Sequence, residues 1–221
     1  MSDPVAIAVL AKAPIAGYAK TRLIPTLGAD GAARLQERLI ERAVATACTA
    51  ATGPVTLYAT PDARHPRLQE LSQQYAVPLA EQFDGDLGAR MLAAIAATNG
   101  PALVIGTDCP ALTAAHLQQA ADVLRNGSDA VVLPADDGGY VLLGMSEPQP
   151  ALFSDMRWST PAVMDETRRR LRERGLTWQE PVTLWDVDVP EDLARLRASA
   201  FADLLIGVGD RGELSLQPDQ H

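Results

Sequence analysis

The chain has 221 residues, of which 47% are hydrophobic, so it can bury one sizeable core and we predict a single domain. Its formal net charge of −9 at pH 7, with no long basic run, argues against a nucleic-acid partner. The two cysteines have no spacing typical of a disulfide framework or a metal site, which favours a reducing compartment.

The N-terminus and the apolar runs predict a cytoplasmic protein. The sequence goes directly from Met1-Ser2-Asp3-Pro4 into a short strand-like run, so we expect no signal peptide. No apolar run approaches the ~18 residues that cross a bilayer, so we also expect no membrane span.

Strand-like apolar runs alternate with segments of helical periodicity along most of the chain. Strands are predicted at 5–10, 55–59, 77–80, 102–107, 130–134, 140–144 and 182–185. Helices are predicted at 29–51, 66–75, 113–125, 160–174 and 191–201, and from the 82–91 loop to about residue 97. This alternation predicts an α/β fold with one doubly wound, mostly parallel sheet over residues 1–206, followed by a polar tail over 207–221.

The strand that begins at residue 102 stops on Asp108, between Gly106 and Pro110. The carboxyl ends of parallel strands are where open α/β sheets bind their ligands. A simple cap of the following turn is the alternative interpretation of Asp108. A second acidic cluster, 186–192, follows another strand-like run. Carboxylates from two strand ends suit a hard divalent cation that carries phosphates, so we predict Mg²⁺ or Mn²⁺ as the cofactor.

The loop after the first strand carries Lys12, Gly17, Lys20 and Arg22. Backbone amides and cationic side chains in such a loop form a cradle for a pyrophosphate, so these residues are candidate nucleotide ligands. The GxxxxGK[ST] and GxGxxG patterns are absent, which disfavours ATPase and dinucleotide-binding hypotheses. The alternative is three solvated cations on an ordinary loop.

The segment around Gly85-Asp86-Leu87-Gly88 is a second candidate nucleotide-binding region. Its glycines would let a nucleotide approach the backbone closely. The candidates to contact a base or a phosphate are Gln82, Gly88 and Arg90. Asp86 as a plain helix N-cap is the simpler interpretation of this segment.

The turn Asp137-Gly138-Gly139-Tyr140 is a candidate acceptor site. Glycines weaken a strand unless the backbone must turn or approach a ligand, and a plain hairpin turn is the alternative. We predict Asp137 as a catalytic base or a ligand of sugar hydroxyls, with Tyr140 lining the pocket.

The segment Trp158-Ser159-Thr160 offers an aromatic wall and a helix N-terminus to an anionic acceptor. Ordinary capping is the alternative, with Thr160 as the N-cap and Pro161 as the first helical residue. Both interpretations predict that a helix begins at this point.

Six motifs occur in order along the chain. They are Lys-Ala-Pro-x-x-Gly-x-x-Lys-Thr-Arg-Leu, Gly-Asp-Leu-Gly-x-Arg-Met, Ile-Gly-Thr-Asp-Cys-Pro, Asp-Gly-Gly-Tyr-x-Leu-x-Gly, Trp-Ser-Thr and Asp-Val-Asp-x-Pro-Glu-Asp-Leu. Over roughly residues 5–197 the chain resembles a bacterial GT-A-fold family of the nucleotide-diphospho-sugar transferase type, the radical-SAM-associated or arsenosugar-biosynthesis glycosyltransferases. It is more distantly similar to phospholactate and molybdenum-cofactor guanylyltransferases.

The resemblance implies that Asp108 and Asp188 bind the metal, with Asp186 as the alternative to Asp188. In either type of transfer, we expect the metal and the loop that carries Lys20 and Arg22 to neutralise charge on the departing diphosphate or pyrophosphate, with Lys20 as a catalytic residue. Glycosyltransferases of this fold often show Asp-x-Asp, whereas Asp108 is followed here by Cys109-Pro110, and this single-aspartate pattern is commoner in nucleotidyltransferases.

The expected function is therefore transfer from a bound nucleotide, with three alternatives. We slightly favour glycosyl transfer from a nucleotide-diphospho-sugar to a small-molecule acceptor. The second alternative is nucleotidyl transfer from a nucleoside triphosphate, which releases pyrophosphate. The third is a nucleotide-binding protein without catalytic activity. The sequence predicts no oligomeric state.

Overall fold

A computed structural model describes residues 3–208 and contains one seven-stranded mixed sheet. The strands are β1 (Ala6–Lys12), β2 (Val55–Thr60), β3 (Leu79–Glu81), β4 (Ala102–Ile105), β5 (Ala130–Pro134), β6 (Tyr140–Met145) and β7 (Trp178–Gln179). They lie in the order β3-β2-β1-β4-β6-β5-β7. Strand β6 runs antiparallel to β4 and β5, and the remaining pairs are parallel.

Helices cover both faces of this sheet. They are α1 (Ile24–Ala50), α2 (Pro66–Tyr75), α3 (Leu87–Ala96), α4 (Ala114–Arg125), α5 (Val163–Glu173) and α6 (Pro190–Arg197). Apolar side chains of α1, α2 and α4 pack on one face, and those of α3 and α5 pack on the other. The structure thereby confirms the predicted α/β fold with a doubly wound, mostly parallel sheet.

The local sequence explains where several elements begin and end. All four residues of β4 are buried, as expected for a central strand covered by helices on both faces. Gly28, with φ 69° and ψ 165°, interrupts the first turns of α1, which agrees with the predicted helix start at residue 29. Asp86 caps α3 by accepting a hydrogen bond from the amide of Ala89 at 2.8 Å. Thr113 caps α4 in the same way.

Three predicted elements are wrong in their bounds. The strand at 182–185 is absent. Leu184 forms an isolated bridge to Ala135, and on this side of β5 the parallel ladder consists of β7 alone. Pro181, which separates the two contacts, has no amide hydrogen to donate to a ladder. The last helix ends at Arg197, and a short 3₁₀ helix, Ala202–Leu205, follows it.

The helix predicted from residue 160 begins at Val163, and Thr160 does not cap it. The Thr160 hydroxyl donates instead to the carbonyl of Arg157 at 2.9 Å. Ser159 has a left-handed backbone with φ 61°, which helix geometry excludes.

The C-terminal part of the described chain packs against α1. Val208, the second residue of the predicted tail, is buried among the side chains of α1 and α6. Residues 209–221 of that tail lie outside the described residues. Within residues 3–208, no helix combines the length and the apolar character that crossing a membrane requires.

Candidate functional site

A cleft of about 570 Å³ opens at the carboxyl ends of β1 and β4. Many of the charged and polar residues predicted for the site line it, namely Lys12, Lys20, Arg22, Gln82, Arg90, Asp108, Tyr140 and Asp188. Strands β2 and β4 lie on opposite sides of β1, so the chain changes direction across the sheet at this point. The cleft therefore occupies the crevice in which open α/β sheets bind ligands.

Lys20 and Asp108 form an ion pair on one wall of the cleft. The Nζ of Lys20 lies 2.7 Å from Oδ1 of Asp108 and donates to the carbonyl of Val187 at 2.6 Å. The Lys20 side chain is only 3% exposed, whereas that of Asp108 is 44% exposed. The ammonium group thus joins the first loop, the end of β4 and the acidic C-terminal motif.

Backbone contacts bring that acidic motif to Asp108. The amide of Val187 donates to the carbonyl of Asp108 at 2.8 Å. The carboxylate of Asp192 accepts from the amides of Asp188 and Val189, both at 2.8 Å, and so fixes the turn before α6. Asp188 is thereby held in the cleft, where its Oδ2 accepts from Nη1 of Arg22 at 2.7 Å.

Asp186 lies close enough to Asp137, Asp108 and Lys20 for their charges to affect its carboxyl group. Burial raises its pKa to about 6, and repulsion from Asp137 and Asp108 adds to this effect, while Lys20 opposes it. A bound cation would favour the ionised form of such a carboxyl group, because opposite charges stabilise each other. The electrostatics around Asp186 therefore match the cation that the sequence predicts.

The donor atoms present fit a divalent cation shared with a ligand. Among residues 3–208, no three His, Cys, Asp or Glu side chains are grouped closely enough to form a metal site of their own. Asp108 and Asp188 both line the cleft, however, and Mg²⁺ is commonly held by one or two carboxylates together with substrate phosphates. The site suits a metal that arrives with a phosphorylated ligand.

The other predicted nucleotide ligands make contacts within the protein. Nε2 of Gln82 donates to the carbonyls of Ala11 and Tyr58 at 2.9 and 3.2 Å, and its Oε1 accepts from Arg90 at 3.4 Å. Gln82 therefore connects the ends of β1 and β2 and orients Arg90. Lys12 is exposed at the end of β1, and its Nζ lies 4.2 Å from the ring centroid of Tyr18.

The two predicted glycine sites differ in what surrounds them. Gly17 turns the first loop with φ 81°, and a Cβ there would meet no described atom within 4 Å. A Cβ at Gly88 would lie 2.6 Å from Cζ2 of Trp158 and 2.9 Å from Cβ of Phe153. Gly88 thus permits close packing between α3 and the segment around Trp158.

Tyr140 lines the cleft and packs against Trp158, which does not itself line it; we call this pair the aromatic wall. Their rings meet edge to face with centroids 6.5 Å apart. The Tyr140 hydroxyl contacts the sulfur of Met91 at 4.0 Å, and burial raises its pKa above the usual range, so it remains a donor. Nε1 of Trp158 is buried and has no hydrogen-bond partner among the described residues.

The turn that precedes Tyr140 is held by its own aspartate and by α5. Oδ1 of Asp137 accepts from the amide of Gly139 at 2.8 Å, while the Asp137 side chain remains exposed. The carbonyl of Gly138 accepts from the amide of Met164 at 2.8 Å. Gly138 has φ 89°, and a Cβ there would collide with the carbonyl of Pro161.

Thr160 lies apart from the main cleft. It lines a separate cavity of about 270 Å³ with Arg157 and Glu166. Of the predicted acceptor segment, Trp158 therefore contacts the cleft through Tyr140, whereas the Thr160 hydroxyl is engaged by Arg157.

Comparison with protein families identifies the chain. A family described as "Uncharacterized protein conserved in bacteria (DUF2064)" matches residues 32–160, more than half of the sequence. The chain belongs to this family. No protein of curated function shows a significant match to this DUF2064 member.

Solved structures share the fold. A protein from Desulfovibrio desulfuricans G20, named as a candidate nucleotide-diphospho-sugar transferase, matches with a TM-score of 0.78 and 26% identity, over 94% of this chain and 95% of that chain. A cytidylyltransferase from Leptospira borgpetersenii matches with a TM-score of 0.59 and 15% identity, over 92% and 93% of the two chains. Glucosyl-3-phosphoglycerate synthase from Mycobacterium tuberculosis, solved with Mn²⁺ and uridine diphosphate, matches with a TM-score of 0.55 and 12% identity, over 95% and 82%. The similarities confirm the predicted fold, a single α/β sheet of the nucleotide-diphospho-sugar transferase type.

Two buried polar residues that line the cleft of this DUF2064 chain were not predicted for the site. Gln36 on α1 and Thr107 after β4 line the cleft and are almost fully buried. Thr107 directly precedes Asp108, which is a signal that the sequence did contain. Gln36 is one of several polar residues in the long helix α1. Because its partner Thr107 lies 71 positions away in the sequence, no local pattern identifies it.

Proposed function

We propose that this chain is a metal-dependent transferase that uses a nucleotide donor, with glycosyl transfer from a nucleotide-diphospho-sugar as the preferred reaction. The observation that carries the proposal is the pairing of two unlike walls in one cleft. One wall holds the ion pairs Lys20–Asp108 and Arg22–Asp188, and the other holds Tyr140. A donor with a charged diphosphate and a neutral sugar has the same division.

The charged wall supports phosphate binding. Asp108 and Asp188 are the residues that would hold Mg²⁺ or Mn²⁺, and a cation bound there would supply charge neutralisation at the leaving diphosphate. Arg22, whose side chain is 62% exposed, can exchange Asp188 for a phosphate oxygen with little rearrangement. The Nζ of Lys20 lies 2.7 Å from Asp108, where it would interact electrostatically with phosphates bound in the cleft, as expected of a catalytic residue of this kind.

The aromatic wall supports a sugar or a small-molecule acceptor. A sugar ring has an apolar C–H face, which suits an aromatic ring, and hydroxyl groups, which need polar partners. The Tyr140 hydroxyl is a donor whose contact in the protein is the weak one to Met91. Asp137 lies exposed at the adjoining turn, where its carboxylate can accept from a sugar or acceptor hydroxyl and act as the base.

A second reaction, nucleotidyl transfer, is favoured by the residues after Asp108. Asp108 is followed by Cys109 and Pro110, so Pro110 stands where many glycosyltransferases of this fold have the second aspartate of an Asp-x-Asp motif. In this reaction Lys12 and Arg22 would bind the β- and γ-phosphates of a triphosphate, and pyrophosphate would leave. The resemblance to arsenosugar-biosynthesis glycosyltransferases favours the glycosyl reaction and a small-molecule acceptor.

Competition calorimetry in Mg²⁺, followed by analysis of the released product, tests the proposal. We expect nucleoside-diphosphate sugars to bind more tightly than triphosphates of the same base, because a γ-phosphate would occupy the space of the sugar. Turnover should release a nucleoside diphosphate. Tighter triphosphate binding with release of pyrophosphate would instead support nucleotidyl transfer, and binding of neither would contradict both reactions.

Asp108→Asn tests the metal in this assay, with Asp62→Asn as its matched control. Both aspartates follow a strand and form an ion pair, and their side chains are similarly exposed, 44% and 43%. We expect Asp108→Asn to abolish the metal-dependent part of nucleotide binding and Asp62→Asn to leave it unchanged. Equal behaviour of the two variants would exclude Asp108 as a metal ligand.

A further inference from the structure

A buried chain of hydrogen bonds runs beneath the cleft and ends on Asp108. Nε2 of Gln36 donates to the carbonyl of Lys12 at 3.1 Å and to Oγ1 of Thr107 at 3.2 Å. Oγ1 of Thr107 lies 3.1 Å from Oδ1 of Asp108. Gln36 and Thr107 are 2% and 5% exposed, so water competes little for these bonds.

The direction of each bond in this chain is fixed by chemistry. A backbone carbonyl only accepts, so the Gln36 atom that faces Lys12 must be the amide nitrogen, which also donates to Thr107. The Thr107 hydroxyl accepts that bond, and its own hydrogen remains for Asp108. An ionised carboxylate only accepts, so Thr107 donates to Oδ1.

The two oxygens of Asp108 are consequently unlike. Oδ1 accepts from Thr107 and forms the ion pair with Lys20. Between residues 3 and 208, no side chain or backbone group forms a hydrogen bond with Oδ2, and the closest contact of Lys20 is to Oδ1. Because the Asp108 side chain is 44% exposed and lines the cleft, Oδ2 is the oxygen that remains for a ligand.

We propose that Gln36 and Thr107 are positioning residues, which hold the Asp108 carboxylate so that only Oδ2 is offered to a metal ion. The inference rests on the proposed function in one respect, namely that Asp108 binds a cation. Mg²⁺ requires nearly ideal octahedral geometry, which a carboxylate fixed to present one oxygen can meet. Hydrogen bonds to the other oxygen orient such a ligand from outside the metal's own coordination shell.

A purely structural role for the same residues predicts a different result. Gln36 also joins α1 to the end of β1, so its loss lowers stability in either case. A structural role leaves the affinity for a metal unchanged once the protein is folded, whereas a positioning role lowers it. Metal affinity measured on folded protein therefore separates the two.

The test measures Mn²⁺ binding by electron paramagnetic resonance, with the protein saturated by whichever ribonucleoside diphosphate binds best. Thr107→Val should weaken Mn²⁺ binding about 10- to 100-fold, as is typical for groups that orient a metal ligand. Gln36→Met should weaken it about tenfold, and Thr107→Ser, which keeps the hydroxyl, should bind like the parent. The double variant should be no weaker than Thr107→Val, because both residues act through one hydroxyl.

Thr52→Val is the matched control. Thr52 is 4% exposed, and its hydroxyl donates to the carbonyl of Val5 at 2.9 Å, beside the opposite end of β1. It should lose stability and keep the parent affinity for Mn²⁺. If Gln36→Met does not fold, Thr107→Val and Thr107→Ser carry the comparison.

The outcomes distinguish this inference from the proposed function. Undiminished Mn²⁺ binding by Asp108→Asn, or none by the parent, would overturn the proposed function and the metal role together. If Asp108→Asn loses Mn²⁺ binding while Thr107→Val and Gln36→Met bind Mn²⁺ like the parent, the positioning role alone is overturned. A crystal structure of Thr107→Val is a second readout, since we expect more than one orientation of the Asp108 carboxylate; a single parent-like orientation would contradict us.

Discussion

The two walls of the cleft are held in place by different physics. On the charged wall, the ion pairs Lys20–Asp108 and Arg22–Asp188 join the first loop to the end of β4 and to the acidic motif before α6. On the aromatic wall, Gly88 fits against Trp158 so closely that a single Cβ would collide. Electrostatic partners can be exchanged for those of a ligand, whereas close packing leaves no room to move.

The walls also differ in how completely their polar groups are satisfied. Each charged side chain on the first wall has an opposite charge within 2.7 Å. On the second wall, Nε1 of Trp158 is buried with no partner among the described residues, and an unpartnered buried donor lowers stability. We therefore expect the side chains of the charged wall to exchange partners when a ligand binds, and those of the aromatic wall to stay in place. The predictions below break each wall in turn.

The largest expected effect comes from Gly138→Ala on the aromatic wall. A Cβ there would collide with the backbone of Pro161 and would require an alanine at φ 89°, so we expect a loss of about 2–4 kcal/mol in the free energy of unfolding. Gly175→Ala is the control, because Gly175 has φ 65° but a Cβ there meets no described atom within 4 Å. Urea denaturation measures the stability of both variants. An equal loss of stability would contradict the prediction, because it would mean that the backbone of Pro161 moves aside for the methyl group.

On the charged wall, Lys20→Met should lower the free energy of unfolding more than Arg22→Met does. The Lys20 side chain is 3% exposed, so its removal leaves Asp108 and the Val187 carbonyl without their partner and should cost about 2 kcal/mol. The Arg22 side chain is 62% exposed, and such pairs contribute about 0–1 kcal/mol. Both variants should still weaken diphosphate binding in calorimetry. Equal losses of stability would show that burial does not distinguish the two pairs.

The smallest effect concerns the partly buried Asp186 of the acidic motif, in protein treated with a chelator. Burial raises its pKa to about 6, above the value in the unfolded chain, so the folded state binds more protons between these values. Its contribution therefore reduces stability as the pH rises from about 4 to about 6. Asp186→Asn should remove this dependence and raise the free energy of unfolding at pH 7 by about 1 kcal/mol, less than the full shift because solvent screens this partly exposed side chain. Asp84→Asn, at an exposed position, is the control, and parallel pH profiles for Asp186→Asn and the parent would refute the prediction.

The sequence by itself determined the features that local patterns record. A continuous apolar run predicted β4, and Asp86 and Thr113 predicted the starts of α3 and α4, because caps and periodicity act within a few residues. The parallel alternation also placed Asp108 and the first loop at one edge of the sheet. The chemical character of the cleft was therefore predictable.

Only the tertiary structure decided which groups meet across the fold. Lys20 and its partner Val187 are separated by 167 positions in the sequence, and Gln36 and Thr107 by 71. The sequence did not predict that Gly88 faces Trp158 or that the Thr160 hydroxyl bonds to Arg157. Such contacts depend on how whole helices and loops pack on the sheet, and that packing is set by the sum of many weak interactions that no short segment contains.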